Sequence, residues 1–369
     1  MYKILVHGMT GSRGGIESFI MNYYRKINGA DIHFDFLCNQ KNPYEKELRE
    51  NGSKIFYLYS KSQHPIKYKK ALKSFFKKYA SSYDCIWSNE SGLANIDYLK
   101  LAKKYGIKKR IIHSHTTNNT YFGLLRPVET LMHYKHKNEI DSYATDFWAC
   151  SQEAGQWLYP EKLFLKIKVI KNAVDISKFS FDPDQRRDIR KSYHLDNNYV
   201  IGLVGRMSPE KNQIFMLDVL KRTNQKNVKL VIVGDGPDKE KIIQKAKQLK
   251  IYDQIILPGV QDNMQGWYSA FDCYVLPSIF EGQSVSGLEA QANGLPILVS
   301  TGAKPKDLKV NSNFFYLNLK QGSKVWAEQL NDIIKNQKRE LPCKVLKNFD
   351  KANLNLDLTY KKLRKMLVE

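Results

Sequence analysis

Residues 277–300 read PSIFEGQSVSGLEAQANGLPILVS, two apolar segments with Glu281 and Glu289 eight positions apart between them. Glu281 closes an expected strand, and Glu289 falls inside the helix expected to follow. The turn between them, Gly282, Gln283, Ser284, Val285, Ser286 and Gly287, is small and polar. Its backbone N–H groups lie free at a helix N-terminus, where a phosphate or sugar oxygen is readily seated. A strand, a polar turn and a helix in this order read as a ligand site on an α/β scaffold.

The same alternation extends upstream. Strands are expected at 200–204, 229–233, 255–257 and 273–276, with helices at 211–222, 239–249, 262–270 and 285–292. An earlier series opens with a strand at 3–6, a glycine-rich loop at 8–15 and a helix at 17–27. It continues with strands at 33–38, 54–58, 85–88, 110–113, 147–151 and 168–171. Strands separated by helices imply parallel sheets. The expected fold class is α/β, two Rossmann-like doubly wound domains facing each other across a cleft. The first covers 1–178 and is completed by a C-terminal helix at 352–369. The stretch 179–198 loses periodicity and gathers Asp, Pro, Ser and Arg, so it reads as a linker; the second domain covers 199–351.

With 59 Lys+Arg against 37 Asp+Glu, the formal charge is +22, a field that attracts nucleic acid, acidic lipid headgroups or a nucleotide diphosphate. No nucleic-acid motif interleaves the aromatics with the lysines, so no nucleic-acid partner is expected. Residues 61–79 hold seven lysines and no acid, with Tyr68, Leu72, Phe75, Phe76 and Tyr79 at near-helical spacing. Such a helix lies on an anionic membrane or turns its apolar stripe into its own domain. The five cysteines are scattered without a CxxC pair, which points to a reducing cytoplasm rather than a disulfide framework or zinc knuckle. No apolar run approaches the ~18 residues that would span a bilayer, and the N-terminal run is too short for a signal segment, so membrane contact is expected to be peripheral.

Gly205 and Arg206 follow the strand at 200–204, and Lys211 opens the next helix. Two cations so placed can clamp one diphosphate. The next two strands end in Gly234-Asp235-Gly236-Pro237 and Pro258-Gly259-Val260. Singly, each is an ordinary strand-to-helix turn. Together with Glu281 and Glu289 they fall at the carboxyl ends of one sheet, where open α/β sheets bind ligands.

Residues 205–212, 234–237 and 277–294, with Glu281-x7-Glu289, resemble the nucleotide-sugar domain of GT-B glycosyltransferases of the retaining family 4. Gly14-Gly15-Ile16-Glu17, His113-Ser114-His115 and Asn172-Ala173-Val174-Asp175 extend the likeness, which is strongest to bacterial capsular and exopolysaccharide transferases. The resemblance implies that Arg206 and Lys211 hold the donor diphosphate and offset charge on the leaving group. It places Glu289 on the ribose. Glu281 and the amides of Gly282, Gln283, Ser284, Val285 and Ser286 go to the sugar, with Gly205, Gly234, Gly236 and Val260 lining the donor site. In the first domain it puts Gly14 and Gly15 beside the donor phosphate or the acceptor, and His115 on a hydroxyl or on transition-state charge; His113 is structural. A UDP-sugar donor, a lipid-linked saccharide acceptor, retention by front-face substitution and a peripheral place on the inner plasma membrane through segment 61–80 are further implications. Neither metal nor cofactor is required.

Where many relatives carry bulky apolar residues this chain has Gln283, Ser284 and Ser286, and it has Asn172-Ala173 where Asn-Gly is common. A GT-A reading would rest on Asp182-Pro183-Asp184, the only Asp-x-Asp pair. A zinc site would rest on His113/His115 or His133/His136, which lack matching ligands. A non-catalytic nucleotide-sugar-binding partner and a sugar-nucleotide epimerase are the remaining alternatives.

Overall fold

In the computed structural model, which describes residues 1–369 apart from 12–13, 118–125, 224, 282–283 and 304–307, the alternating elements fold into two bodies. The first comprises 1–172 and 359–369, the second 173–358. Each is an α/β body of the Rossmann-like kind.

The first body carries β1 (Tyr2–His7), β2 (Ile32–Cys38), β3 (Ile55–Tyr57), β4 (Cys85–Glu90), β5 (Lys109–Ser114), β6 (Asp146–Ala149) and β7 (Ile167–Val169). They lie in the order β3-β2-β1-β4-β5-β6-β7 and every pair is parallel. Strand interiors such as Ile4, Leu5 and Val6 are fully buried, as a sheet covered on both faces requires. The chain winds outward from β1 to β3 and then returns to β4 on the other side. The loops after β1 and β4 therefore part at the carboxyl edge, the switch point of the sheet.

Helix Pro65–Tyr79 turns Tyr68, Leu72, Phe75 and Phe76 into this body's core. Burying each such side chain is worth ~1.5–3 kcal/mol, whereas an anionic surface returns about 1 kcal/mol per lysine. The stripe is thus committed to the protein, and the expected lipid contact through segment 61–80 has no aromatic face to offer. That helix leaves Lys67, Lys69, Lys70, Lys73, Lys77 and Lys78 exposed, with Ile66 as the one large apolar side chain beside them.

The second body carries β8 (Tyr199–Val204), β9 (Val228–Val233), β10 (Ile255–Gly259), β11 (Cys273–Leu276), β12 (Ile297–Ser300) and β13 (Phe314–Leu317). The order is β10-β9-β8-β11-β12-β13, again parallel throughout, with the switch point between β8 and β11. β12 and β13 are additions to the four strands expected from sequence. Both are four residues long.

The segment 179–198, expected to link the two domains, lies inside the second body. Its helix Pro183–Ser192 opens with Pro183 at the first turn and Asp182 as N-cap, whose carboxylate accepts from the N–H groups of Asp184 and Gln185 at 3.0 Å. Asp182 is therefore spoken for in the Asp-x-Asp pair. The helix docks by charge: Arg186 and Arg190 reach Asp272 at 2.5 and 3.0 Å and the carbonyls of Ser269, Ala270 and Phe271. Those carbonyls lie at the C-terminal end of helix Met264–Ala270, the negative end of its dipole. With Ile189 as its one large aliphatic residue, the helix shows no hydrophobic period.

Candidate functional site

The loops after β8 and β11 are tied to one another. The amide of Ile279 donates to the carbonyl of Glu210 at 2.8 Å, and Asn212 Nδ2 donates to the carbonyl of Pro277 at 3.2 Å. Lys211 Nζ pairs with Glu281 Oε1, while Ser278 Oγ donates to Glu281 Oε2 at 2.8 Å. Both Glu281 oxygens are thus engaged. Arg206 stands exposed on the same loop, and its guanidinium has no partner among the described residues. The structure brings Lys211 and Glu281 together and leaves a second cation open to solvent beside them.

Gly234 and Gly236 have a packing reason. Gly234 sits at φ +132°, and a Cβ there would lie 2.2 Å from the carbonyl oxygen of Gly205; one on Gly236 would lie 2.3 Å from that of Met207. The β9 turn is pressed onto the β8 turn, so only glycine fits. Val260, just past β10, is 61% exposed and keeps an apolar surface open at that edge.

Helix Val285–Ala292 begins behind β11. Ser284 is its N-cap, accepting from the N–H of Gly287 at 3.3 Å, and Ser286 Oγ is bonded to the hydroxyl of Tyr274 at 2.9 Å. These two hydroxyls brace the helix start, while the expectation for this turn concerns its backbone amides. Gly282 and Gln283 lie outside the described residues. Glu289 Oε2 accepts from the hydroxyl of Tyr268 at 2.8 Å. Burial pushes the Glu289 carboxyl up to about 7, against the pull of the Tyr268 bond and of the Lys178 ammonium.

The first body's switch point is built differently. Gly14 caps helix Gly15–Ile27, and its N–H donates to Glu17 Oε2 at 3.0 Å. Glu17 Oε1 takes the amide and hydroxyl of Thr10, each at 2.7 Å, so one buried carboxylate pins the glycine loop. At the end of β4, Glu90 Oε1 receives His7 Nδ1 at 3.0 Å and Ser88 Oγ at 2.8 Å. His115, just past β5, sits with Nε2 2.9 Å from Asn89 Oδ1, while Asn89 Nδ2 points at the carbonyls of His7 and Trp87. This orientation puts the imidazole proton on Nε2 and leaves Nδ1 as the acceptor. Burial holds the His115 pKa down at about 3, so the ring is neutral at pH 7. His113 is fully buried with its ring centroid 4.2 Å from that of His115, and burial and that neighbour hold it well below the ordinary range.

His133 and His136 are used otherwise than as metal ligands: His133 Nδ1 accepts from the amide of Leu93 at 3.0 Å, and His136 Nδ1 lies 2.6 Å from its carbonyl. Among the described residues no three His, Cys, Asp or Glu side chains cluster as metal ligands. Tyr268 and Asn89 were not readable as site residues, because each acts through a partner distant in sequence, whereas Ser278 bonds Glu281 only three positions on. Only the Glu17 position, inside the Gly14-Gly15-Ile16-Glu17 motif, carried a signal.

Residues 184–351 match the family model described as glycosyl transferases group 1. EpsF of Bacillus subtilis is 28% identical, the alignment covering 89% of this chain and 87% of that one. The Escherichia coli UDP-Gal:alpha-D-GlcNAc-diphosphoundecaprenol alpha-1,3-galactosyltransferase is 25% identical over 78% and 76% of the two chains. CapH of Staphylococcus aureus, a capsular polysaccharide biosynthesis glycosyltransferase, is 25% identical over 92% of each. HepE of Anabaena, solved in complex with UDP and glucose, shares the fold over 100% of both chains, with a TM-score of 0.81 and 18% identity.

Proposed function

With a group 1 glycosyltransferase domain over residues 184–351 and two Rossmann-like bodies of the GT-B type, the chain is a glycosyltransferase; we propose that it moves a hexose or N-acetylhexosamine from a UDP-sugar to a lipid-linked saccharide. The observation that carries the reading is the pairing of Lys211 with Glu281 beside the unpartnered Arg206, at the β8/β11 switch point. A diphosphate arriving there takes both cations and releases Glu281, which Ser278 still holds by Oε2, to accept sugar hydroxyls. Glu289 accepts from the ribose. UDP as the nucleotide is supported by the complex of HepE and by the donor in the name of the E. coli relative.

Two cations on one loop supply the charge compensation a divalent metal would otherwise give, so the reaction runs without metal. The acceptor hydroxyl attacks the anomeric carbon from the face that the diphosphate leaves, and its proton passes to the departing phosphate oxygen. Configuration is retained. Glu281, still held by Ser278 through Oε2 and turned to the sugar hydroxyls, is an anchor and not a nucleophile. His115, neutral and with Nδ1 open as an acceptor, suits a hydroxyl-bearing ligand.

Peripheral membrane contact at the inner face is part of the same reading. No helix among the described residues is long and apolar enough to cross a membrane. Helix Arg126–Glu139 leaves Val128, Leu131 and Tyr134 exposed at 58, 71 and 52%, and the lysine face of Pro65–Tyr79 adds charge.

The test is transfer from radiolabelled UDP-sugars to an undecaprenol-diphosphate saccharide in excess EDTA. Label in the organic phase, with the anomer of the donor, is the expected result. Activity that needs added Mg²⁺, or a trapped covalent sugar–enzyme adduct, would contradict the mechanism.

A further inference from the structure

We propose that Tyr268 is a positioning residue for nucleotide binding: its hydroxyl fixes one oxygen of Glu289 so that the other is presented to the ribose. The proposal rests on the reading that Glu289 takes the ribose hydroxyls. Tyr268 is fully buried, and its ring lies among Phe179, Phe271 and Tyr274, with centroids 5.9, 6.1 and 6.0 Å away. Packed on three aromatic rings, the tyrosine has no freedom to swing, and a buried phenol needs a partner. It finds Glu289 Oε2 at 2.8 Å. Among the described residues Oε1 has no hydrogen-bond partner.

A carboxylate held by one oxygen loses its rotational freedom before the ligand arrives, and the second oxygen keeps its full capacity to accept. The phenol also favours the ionised acid against the burial that pushes Glu289 up to about 7. Lys178, in the helix Ile176–Phe179, acts in the same direction, and Tyr274 on β11 also faces the acid. β12 carries no ionisable residue, and on helix Pro342–Ala352 Lys344, Lys347 and Lys351 are exposed while Asp350 is bonded to Asn355.

Calorimetric titration of UDP and of 2′,3′-dideoxy-UDP into the wild type and Tyr268→Phe separates the possibilities. The wild type is expected to prefer UDP by about tenfold, the worth of one charge-assisted hydrogen bond. Tyr268→Phe should lose most of that preference through weaker UDP binding, with dideoxy-UDP unchanged, and the midpoint of UDP binding against pH should move upward. Replacing Tyr268 by 4-aminophenylalanine, which restores a donor, should return the preference and gives a second reading if the phenylalanine variant folds poorly. A Tyr268→Phe protein that keeps the full preference, or a donor-bearing replacement that does not restore it, overturns the proposal. A wild type indifferent to the ribose hydroxyls overturns the Glu289 assignment itself, and the proposal with it.

Discussion

The two sheets share a topology and differ in what their switch points carry. At β8/β11 a lysine and a glutamate are paired beside an open arginine, and an acid stands in the following helix. At β1/β4 the carboxylates of Glu17 and Glu90 are consumed by local donors, and the histidine past β5 is held neutral. On the proposed reading, one edge takes an anion and the other uncharged hydroxyls. The strand-end position is general to the fold, and the ligand class is set by which charges the loops leave unspent.

The largest effect should come from removing a cation at the second edge. Lys211→Ala is expected to lower kcat by ~10²–10³, as loss of one preorganised transition-state donor does, with KM for the donor changed far less. Steady-state kinetics showing the loss mainly in KM would reassign Lys211 to ground-state binding. At the first edge the corresponding change is structural. Glu17→Ala removes the acceptor of the Thr10 and Gly14 amides, at about 0.5–1.5 kcal/mol each. Amide exchange should show the first body opening more readily, with UDP affinity within twofold of the wild type; a large loss of UDP affinity would blur the division between the edges.

Glu289→Gln is a milder change, expected to weaken UDP about tenfold with little effect on kcat. A kcat effect larger than the KM effect would move Glu289 from the ribose to the reacting centre.

Protonation separates the two bodies with opposite sign. His115 stays unprotonated in the fold down to about 3 and His133 to about 4, whereas unfolded histidine takes a proton near 6.5. As pH falls below 6.5 the unfolded state binds more protons, and the first body loses ~1.4 kcal/mol per pH unit per histidine until the folded pKa is reached. Glu289 reverses this: between its ordinary 4.5 and about 7 the folded state holds the extra proton, so the second body is favoured by acid in that window. Exchange protection resolved by body at pH 5 and pH 7 measures both, and parallel losses in the two bodies would contradict the assignment. The same acid protonates the carboxylate proposed to take the ribose, so UDP affinity should fall below pH 7 while the second body holds.

The smallest effect belongs to the surface. Lys69→Glu with Lys73→Glu should weaken binding to phosphatidylserine vesicles by about fivefold per lysine removed, an effect lost at high salt. Unchanged vesicle binding would leave contact to the exposed residues of helix Arg126–Glu139.

Much of this contrast was legible in the residues. Apolar alternation locates the loops of Arg206 and Lys211 after β8 and of Glu281 after β11, and the helix that holds Glu289, although Glu281 lies five residues beyond its strand instead of closing it and Lys211 precedes a helix that begins at Gln213. The pairings were not. Tyr268 with Glu289 and Asn89 with His115 join residues 21 and 26 positions apart, a closeness that only packing creates. Helix Pro183–Ser192 was lost because ionic docking on Asp272 leaves no hydrophobic period, although Asp182 and Pro183 do spell a helix start. The lysine-rich helix Pro65–Tyr79 offered two readings of one pattern, and burial of its aromatics chose between them. At Ser284 and Ser286 the polar turn serves capping through its hydroxyls, a use that the sequence pattern of a helix start does not separate from ligand binding through its amides.

The most direct test of the anion edge is amide hydrogen exchange with and without UDP in excess EDTA. New protection is expected at 205–211 and 284–292 in the second body, with little change at 8–17 and 88–93 in the first. Protection confined to the first body's edge, or none without added metal, would contradict it.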